Sequence, residues 1–284
     1  MSGEAADPLS LRPITGPAAL SGDFRRFVLL TQRIALMEFK LRFFGSALGY
    51  LWQLMRPLML FGVLYVVFTQ FVSLGDTPFY AVALLMGIVL YTFLAECISG
   101  AVGSVVDKEN LVRKIHFPRL VIPVSVVLTA LFSLGLNLAV VLIFGLAQGM
   151  PVRWTWLELP LLITVLIVLA TGFAMLVSAL FVRMRDIRPI SDVALQIAFY
   201  SSPILYPLER VDPPWLQKLV LVVNPFATIL QQLRHAVIDP TVPSAAAAIG
   251  GWERLLIPAA LVAAVFGWGF WVFNRAAPRI AEDL

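Results

Sequence analysis

Six long apolar runs dominate the chain, at approximately 57–74, 79–103, 121–148, 156–182, 189–207 and 255–274. Each is near the roughly 20 residues that cross a hydrocarbon core as a helix, so the pattern predicts six transmembrane helices. The fifth run is the weakest, because Asp192, Gln196 and Ser201-Ser202-Pro203 interrupt it. Such a segment breaks or turns back, and irregular backbone is tolerated at depth only against protein or a water-filled cavity.

A different pattern precedes the first run. In the region 23–56, Phe27, Leu30, Ile34, Met37, Leu41 and Phe44 recur at three- and four-residue steps, interrupted by Arg25, Arg26, Arg33, Lys40 and Arg42. This predicts an amphipathic helix lying at the cytoplasmic interface, or else a soluble helix packed on a partner. Residues 1–22 are punctuated by Pro and Gly without an apolar core of signal-peptide length, and read as a flexible cytoplasmic lead-in. The external segment 208–254 carries two short apolar faces. Trp215, Leu216, Leu219, Val220 and Val223 end at Asn224-Pro225, while Phe226, Ile229, Leu230, Leu233 and Val237 end at Asp239-Pro240. They predict two short helices at the outer membrane surface, within 208–240.

Composition agrees with a lipid environment. The chain is 60% hydrophobic and 13% charged, against about a quarter charged in soluble domains. Sixteen of its 21 Lys and Arg fall on one side if both termini are cytoplasmic, which the positive-inside rule favours. The net charge of +4 does not point to nucleic acid, because the basic residues flank apolar spans rather than forming one stripe. Cys97 is the single cysteine, and His116 and His235 are the only histidines, so neither a disulfide nor a metal site is expected.

Catalysis is not expected either. The lysines Lys40, Lys108, Lys114 and Lys218 follow Phe39, Asp107, Arg113 and Gln217, so there is no Gly-Lys pair and no Walker A phosphate loop. Between the second and third runs, the loop 104–120 mixes Lys108, Glu109, Asn110, Arg113 and Lys114 with Leu111, Val112 and Ile115. A topogenic loop needs only the positive charges, and the apolar residues suggest a small helix that docks into something. Glu96 is the one acid well inside a confident run. It faces a bundle interior or cavity, or it snorkels or bonds a neighbouring helix. Tyr65, Phe68 and Phe71 of the first run, with Phe199 and Tyr200 of the fifth, suit a path for sugars, whose C–H faces stack on rings. Aromatics equally fill cores and interface belts.

The ordered set of motifs resembles a known family. Lys108 to Arg119 is similar to the cytoplasmic loop of ABC-2-type permeases that export O-antigen, teichoic acid or capsule. Arg185-Asp186, Ser201-Ser202-Pro203-Ile204-Leu205-Tyr206-Pro207, Asn224-Pro225-Phe226 and the entry stretch from Arg42 to Trp52 look like the same family. The resemblance implies an all-α fold with six transmembrane helices per subunit, an N-terminal interface helix and short external helices. It also implies a homodimer with its channel along the dimer axis, and two cytoplasmic ATPase subunits that bind ATP and Mg. The residues from Lys108 to Ile115 would couple to that ATPase. Tyr65, Phe68, Phe71, Glu96, Phe199 and Tyr200 would line the path, and Trp215, Leu219, Asn224, Pro225 and Phe226 would form an outer gate. The expected cargo is a lipid-linked polysaccharide or polyol-phosphate polymer, crossing the bacterial inner membrane. A permease for a small drug- or lipid-like substrate, an ion-coupled carrier and a membrane transferase are the alternatives.

Overall fold

The computed structural model describes residues 24–42, 49, 51–75, 77–109 and 117–279. Among these it is all helix and turn, with no strand. The described residues form α1 Phe24–Arg42, α2 Leu51–Gln70, α3 Tyr80–Asp107, α4 Val121–Ala147, α5 Glu158–Arg183, α6 Ile187–Ser201, α7 Pro214–Val223, α8 Pro225–Leu233, α9 Ala245–Ile249 and α10 Leu256–Ala276. Five segments are long and apolar enough to cross a membrane: Leu51–Gln70, Tyr80–Asp107, Val121–Ala147, Trp154–Arg183 and Trp252–Ala276. The chain is a multi-pass membrane protein.

The central helix is α3, apolar apart from the strip of Thr92, Glu96 and Ser99, and packed against α2, α4, α5 and α6, as a largely apolar helix must be. Eighteen of its 28 residues are buried, whereas Pro57 alone is buried in the 20 residues of α2. Helix α2 begins six residues ahead of the predicted run, so Pro57 sits inside it rather than at its start. Its missing N–H is tolerable there, because apolar surroundings favour intrahelical bonding for every other group.

The firmest helix pair is α5 with α10, and its geometry depends on two glycines. A Cβ added at Gly269 would stand 2.2 Å from the Gly172 carbonyl oxygen, and one at Gly172 would stand 2.8 Å from Phe266 backbone. Without a hydrophobic drive between helices in lipid, such close backbone approach supplies the association through van der Waals contact. Gly269→Val is therefore expected to destabilise the chain by about 3 kcal/mol or more, read as a drop in the thermal midpoint in detergent. Gly267→Val, whose added Cβ meets nothing within 4 Å, should leave it nearly unchanged.

Helix α1 buries its face within this same chain. Ala35 is fully buried, its carbonyl accepts from the Thr129 hydroxyl at 3.3 Å, and Phe39 meets Phe132 edge-on at 5.6 Å. Those α4 residues lie roughly 12–17 Å beyond Val121 at 1.5 Å per residue, so α1 leans along α4. Leu29, Leu36, Met37 and Leu41 remain exposed.

The fifth predicted run forms only the 15-residue α6, about 22 Å long, which is short of the roughly 30 Å core. Beyond Ser201 the backbone is irregular to Pro207, yet the run keeps climbing along α3. Arg188 approaches Gly103, the Tyr91 hydroxyl donates to Leu195 O at 3.0 Å, Ile204 crowds Gly87, and the Tyr80 hydroxyl donates to Leu205 O at 2.8 Å. From Gly103 to Tyr80 is about 34 Å of α3. The fifth run accordingly travels most of the height of the central helix and is broken over its last third, toward the Tyr80 end.

Candidate functional site

Helix α6 shows three faces when its residues are placed at 3.6 per turn. Ile187, Ser191 and Leu195 are buried against the bundle. Ile190, Val193 and Ile197 form an exposed apolar face. Between them, on the remaining side, run Asp192 and Gln196, both exposed and without a hydrogen bond among the described residues. Tyr200 continues that strip toward the break and is 59% exposed. Wherever lipid covers this side of α6, an unpaired carboxylate and amide require water or a polar ligand beside them. In sequence, Asp192 and Gln196 stand out only as interruptions of a weak span. The missed signal is their spacing of four, which sets them on one strip separate from the apolar one.

Where α6 ends, the freed backbone is satisfied by protein. Ser202 is fully buried; its hydroxyl donates to Ala198 O at 2.6 Å and accepts from Asn224 Nδ2 at 2.9 Å. The Asn224 side-chain oxygen meanwhile accepts from the backbone N–H groups of Phe226 and Ala227, capping α8. Asn224 therefore ties the broken run to the short helices α7 and α8. Pro225 occupies the first position of α8, where its missing N–H costs nothing. Phe226, expected at an outer gate, is only 2% exposed and lies 6.5 Å from the Tyr91 ring, in the core. Trp215 and Leu219 on α7 are exposed.

The rings expected on a path fall into two groups. Tyr65 stacks between Phe61 and Tyr80, at 5.5 and 6.4 Å. Phe199 meets Tyr91 at 4.7 Å and Tyr200 at 5.3 Å. Phe68 and Phe199 are half-buried against the main core, while Phe71, just past the C-terminal end of α2, is exposed. Both α2 and α6 lie against α3, whose Thr92, Ala95, Glu96 and Ser99 share one part-open face.

Glu96 is not isolated. Arg42 donates to it at 3.2 Å and Gln53 at 3.0 Å, joining α1, α2 and α3 through residues distant in sequence. Together with Trp52, Arg56, Pro57, Thr92, Ser99 and Gly100 they line a cavity of about 560 Å³.

Of the predicted coupling residues, Asn110, Leu111, Val112, Arg113, Lys114 and Ile115 lie outside the described residues. Lys108 pairs with Glu38 of α1, itself within reach of Thr129 on α4, and Glu109 ends the described part of the loop. At the far side, Phe117 is buried in a cluster with Val105, Val121 and Phe273, and the Arg119 guanidinium donates to Ala277 O. Among the described residues no group of three or more His, Cys, Asp and Glu is placed to hold a metal.

The family model described as ABC-2 type transporter matches residues 29–238. The chain is similar to the O-antigen export system permease protein RfbA of Myxococcus xanthus, with 26% identity over 87% of this chain and 92% of that protein. It is similar to the protein of the same name from Klebsiella pneumoniae, at 26% identity over 92% of this chain and 95% of the other. It is also similar to the polysialic acid transport protein KpsM of Escherichia coli, at 26% identity over 73% and 80% of the two chains.

Proposed function

The chain belongs to the ABC-2 type transporter family, and from that premise we propose that it is the permease of an ATP-driven polysaccharide exporter. Two copies would form a channel in the bacterial inner membrane with both termini cytoplasmic, and a separate pair of ABC ATPase subunits would bind ATP and Mg. The cargo is a lipid-linked polysaccharide or polyol-phosphate polymer. The relatives named for O-antigen export and polysialic acid transport support a glycan.

The observation that carries this reading is the exposed Asp192–Gln196–Tyr200 strip on α6, the helix that packs along the central α3. A sliding polymer needs weak, repeated contacts, from hydroxyl-bonding groups and ring faces rather than a closed pocket. An unpaired carboxylate and amide beside an open ring offer that chemistry, and the part-open face of α3 lends Thr92 and Ser99.

The decisive test is loss and restoration of export. Cells lacking the chain should accumulate the polymer inside and regain surface polymer when it is supplied. The tagged chain should co-purify with an ABC ATPase and with an untagged second copy. Export that persists without any ATPase, driven by an ion gradient, would overturn the reading.

Single rings separate path from core. Tyr200→Ala, at an open position, should cut export severalfold with an unchanged thermal midpoint. Phe199→Ala, wedged against Tyr91, should instead cost stability, toward the lower end of the roughly 3–5 kcal/mol of a buried Phe truncation.

A further inference from the structure

Helices α5 and α10 run side by side in the same direction. They touch backbone to backbone where Gly172 meets Phe266 and Gly269. Nearer their N-terminal ends they part. There Val165 and Val262, each seven residues before those glycines, line the two walls of a groove of about 410 Å³, with Ile229 of α8 in its floor. The groove reaches from Glu158 to Val165 on one wall and from Leu255 to Val262 on the other, roughly 10 Å along each helix. Ile229 is buried, whereas Leu161 and Ala259 on the walls are exposed, so the groove opens away from the bundle.

Its mouth lies at the level of two open indoles. Trp154 is 89% exposed and Trp252 is 77% exposed, each at the start of a segment long and apolar enough to span a membrane. Tryptophan at the end of a span marks the membrane–water interface. The groove therefore starts at head-group level and descends into hydrocarbon.

An apolar groove open to a bilayer accepts an acyl chain by composition alone, and the polar groups at its mouth decide which lipid. The Thr228 hydroxyl donates to Leu221 O. The Gln232 amide donates to Glu158 Oε2 at 2.7 Å and accepts from the Ala245 N–H at 3.0 Å. What remains is Oε1 of Glu158. This carboxylate is the single charge of the groove lining, and it has no ion-pair partner among the described residues. The first turn of a helix favours an acid, which accounts for Glu158 on α5 but not for the apolar groove beneath it.

We propose that the groove between α5 and α10 is a binding site for a phospholipid with a primary-amine head group, phosphatidylethanolamine in its simplest form. One acyl chain lies between Val165 and Val262, over Ile229. The ammonium donates to Glu158, and an ammonium carries three donors. A hydrogen bond between two ionised groups is roughly twice as strong as a neutral one. Choline has no N–H to give. A glycerol head group leaves the lipid phosphate uncompensated, and the carboxylate repels it. Neither the α6 strip nor the Glu96 cavity contributes a residue, so the assignment does not depend on the cargo.

The test uses the purified full-length chain in nanodiscs of phosphatidylcholine doped with equal amounts of phosphatidylethanolamine and phosphatidylglycerol of matched chain length. Native mass spectrometry counts the lipids that stay bound. The ethanolamine lipid should be retained about tenfold over the glycerol lipid. Its N,N-dimethyl derivative, with one N–H left, should fall between ethanolamine and choline. Glu158→Gln should abolish the preference. Ala259→Phe, at an exposed position on the groove wall, should fill the groove and abolish the preference with the carboxylate intact. The thermal midpoint of each variant in phosphatidylcholine checks that it is folded, and Ala259→Phe decides the matter if Glu158→Gln is not. Equal retention of the two head groups by the unmodified chain, an ordinary lipid annulus, would overturn the proposal. So would a folded variant of either kind that keeps the full preference.

Discussion

If the loop docks the proposed ATPase, serine at Leu111, Val112 and Ile115 together should leave the chain in the membrane, strip it of that partner and drop export to background. Insertion survives because Lys108, Arg113, Lys114 and Arg119 keep the positive charge that orients the loop. Association fails because a buried aliphatic side chain is worth about 1.5–3 kcal/mol. Three of them amount to roughly 4 kcal/mol or more, a thousandfold in affinity. The flanks explain why the loop would transmit force. Lys108 is clamped to Glu38 on one side, and on the other Phe117 is buried and Arg119 is fastened to the carbonyl of Ala277. A push on such a loop passes directly into α3 and α4. The measurement is ATPase recovered per permease on affinity purification, alongside surface polymer in cells. A variant that keeps both at the level of the unmodified chain removes the coupling role.

The second large effect belongs to α6. Asp192→Leu with Gln196→Leu should reduce export more than tenfold while leaving the thermal midpoint equal or higher. A charged side chain facing lipid is costly, by up to about 2.5–3.5 kcal/mol at a helix centre, so leucine at a lipid-facing strip would stabilise the chain and spare transport. On a wet path, leucine erases the polar contacts and the cargo stalls. Cysteine at 196 in a Cys97→Ala background should react with a water-soluble thiol reagent, while cysteine at 197, on the apolar face, should not. Since Cys97 is fully buried, the background substitution adds no competing thiol. Normal export of the leucine variant, with a raised midpoint and an unreactive residue 196, would place the strip against lipid.

Hydropathy along the chain was enough to locate the helices, because a membrane segment must satisfy its backbone internally and its length follows from bilayer thickness. Runs 121–148 and 255–274 match α4 and α10 within about two residues. The broken character of the fifth run was also legible, since Ser201-Ser202-Pro203 cannot continue a helix without losing bonds. The same holds for the short helices on either side of Asn224-Pro225, where a capping residue and a proline meet.

Other features depend on side chains that meet from far apart. Helices α2 and α3 are both strongly apolar, yet one is nearly bare and the other is the hub; hydropathy is a sum over neighbours in sequence and carries no record of which faces are covered. Glu96 looked like a lone intramembrane acid because its partners are 54 and 43 residues away. Phe226 looked like a gate and is core, because Tyr91 of another helix closes over it. Asn224 reads locally as a cap, but its bond to Ser202 is what reconnects the broken run to α7 and α8. Local patterning thus sets roughly where the apolar helices lie and what solvent they prefer. Packing alone assigns each polar group its partner or leaves it facing open space, because that outcome requires several helices to arrive at one place.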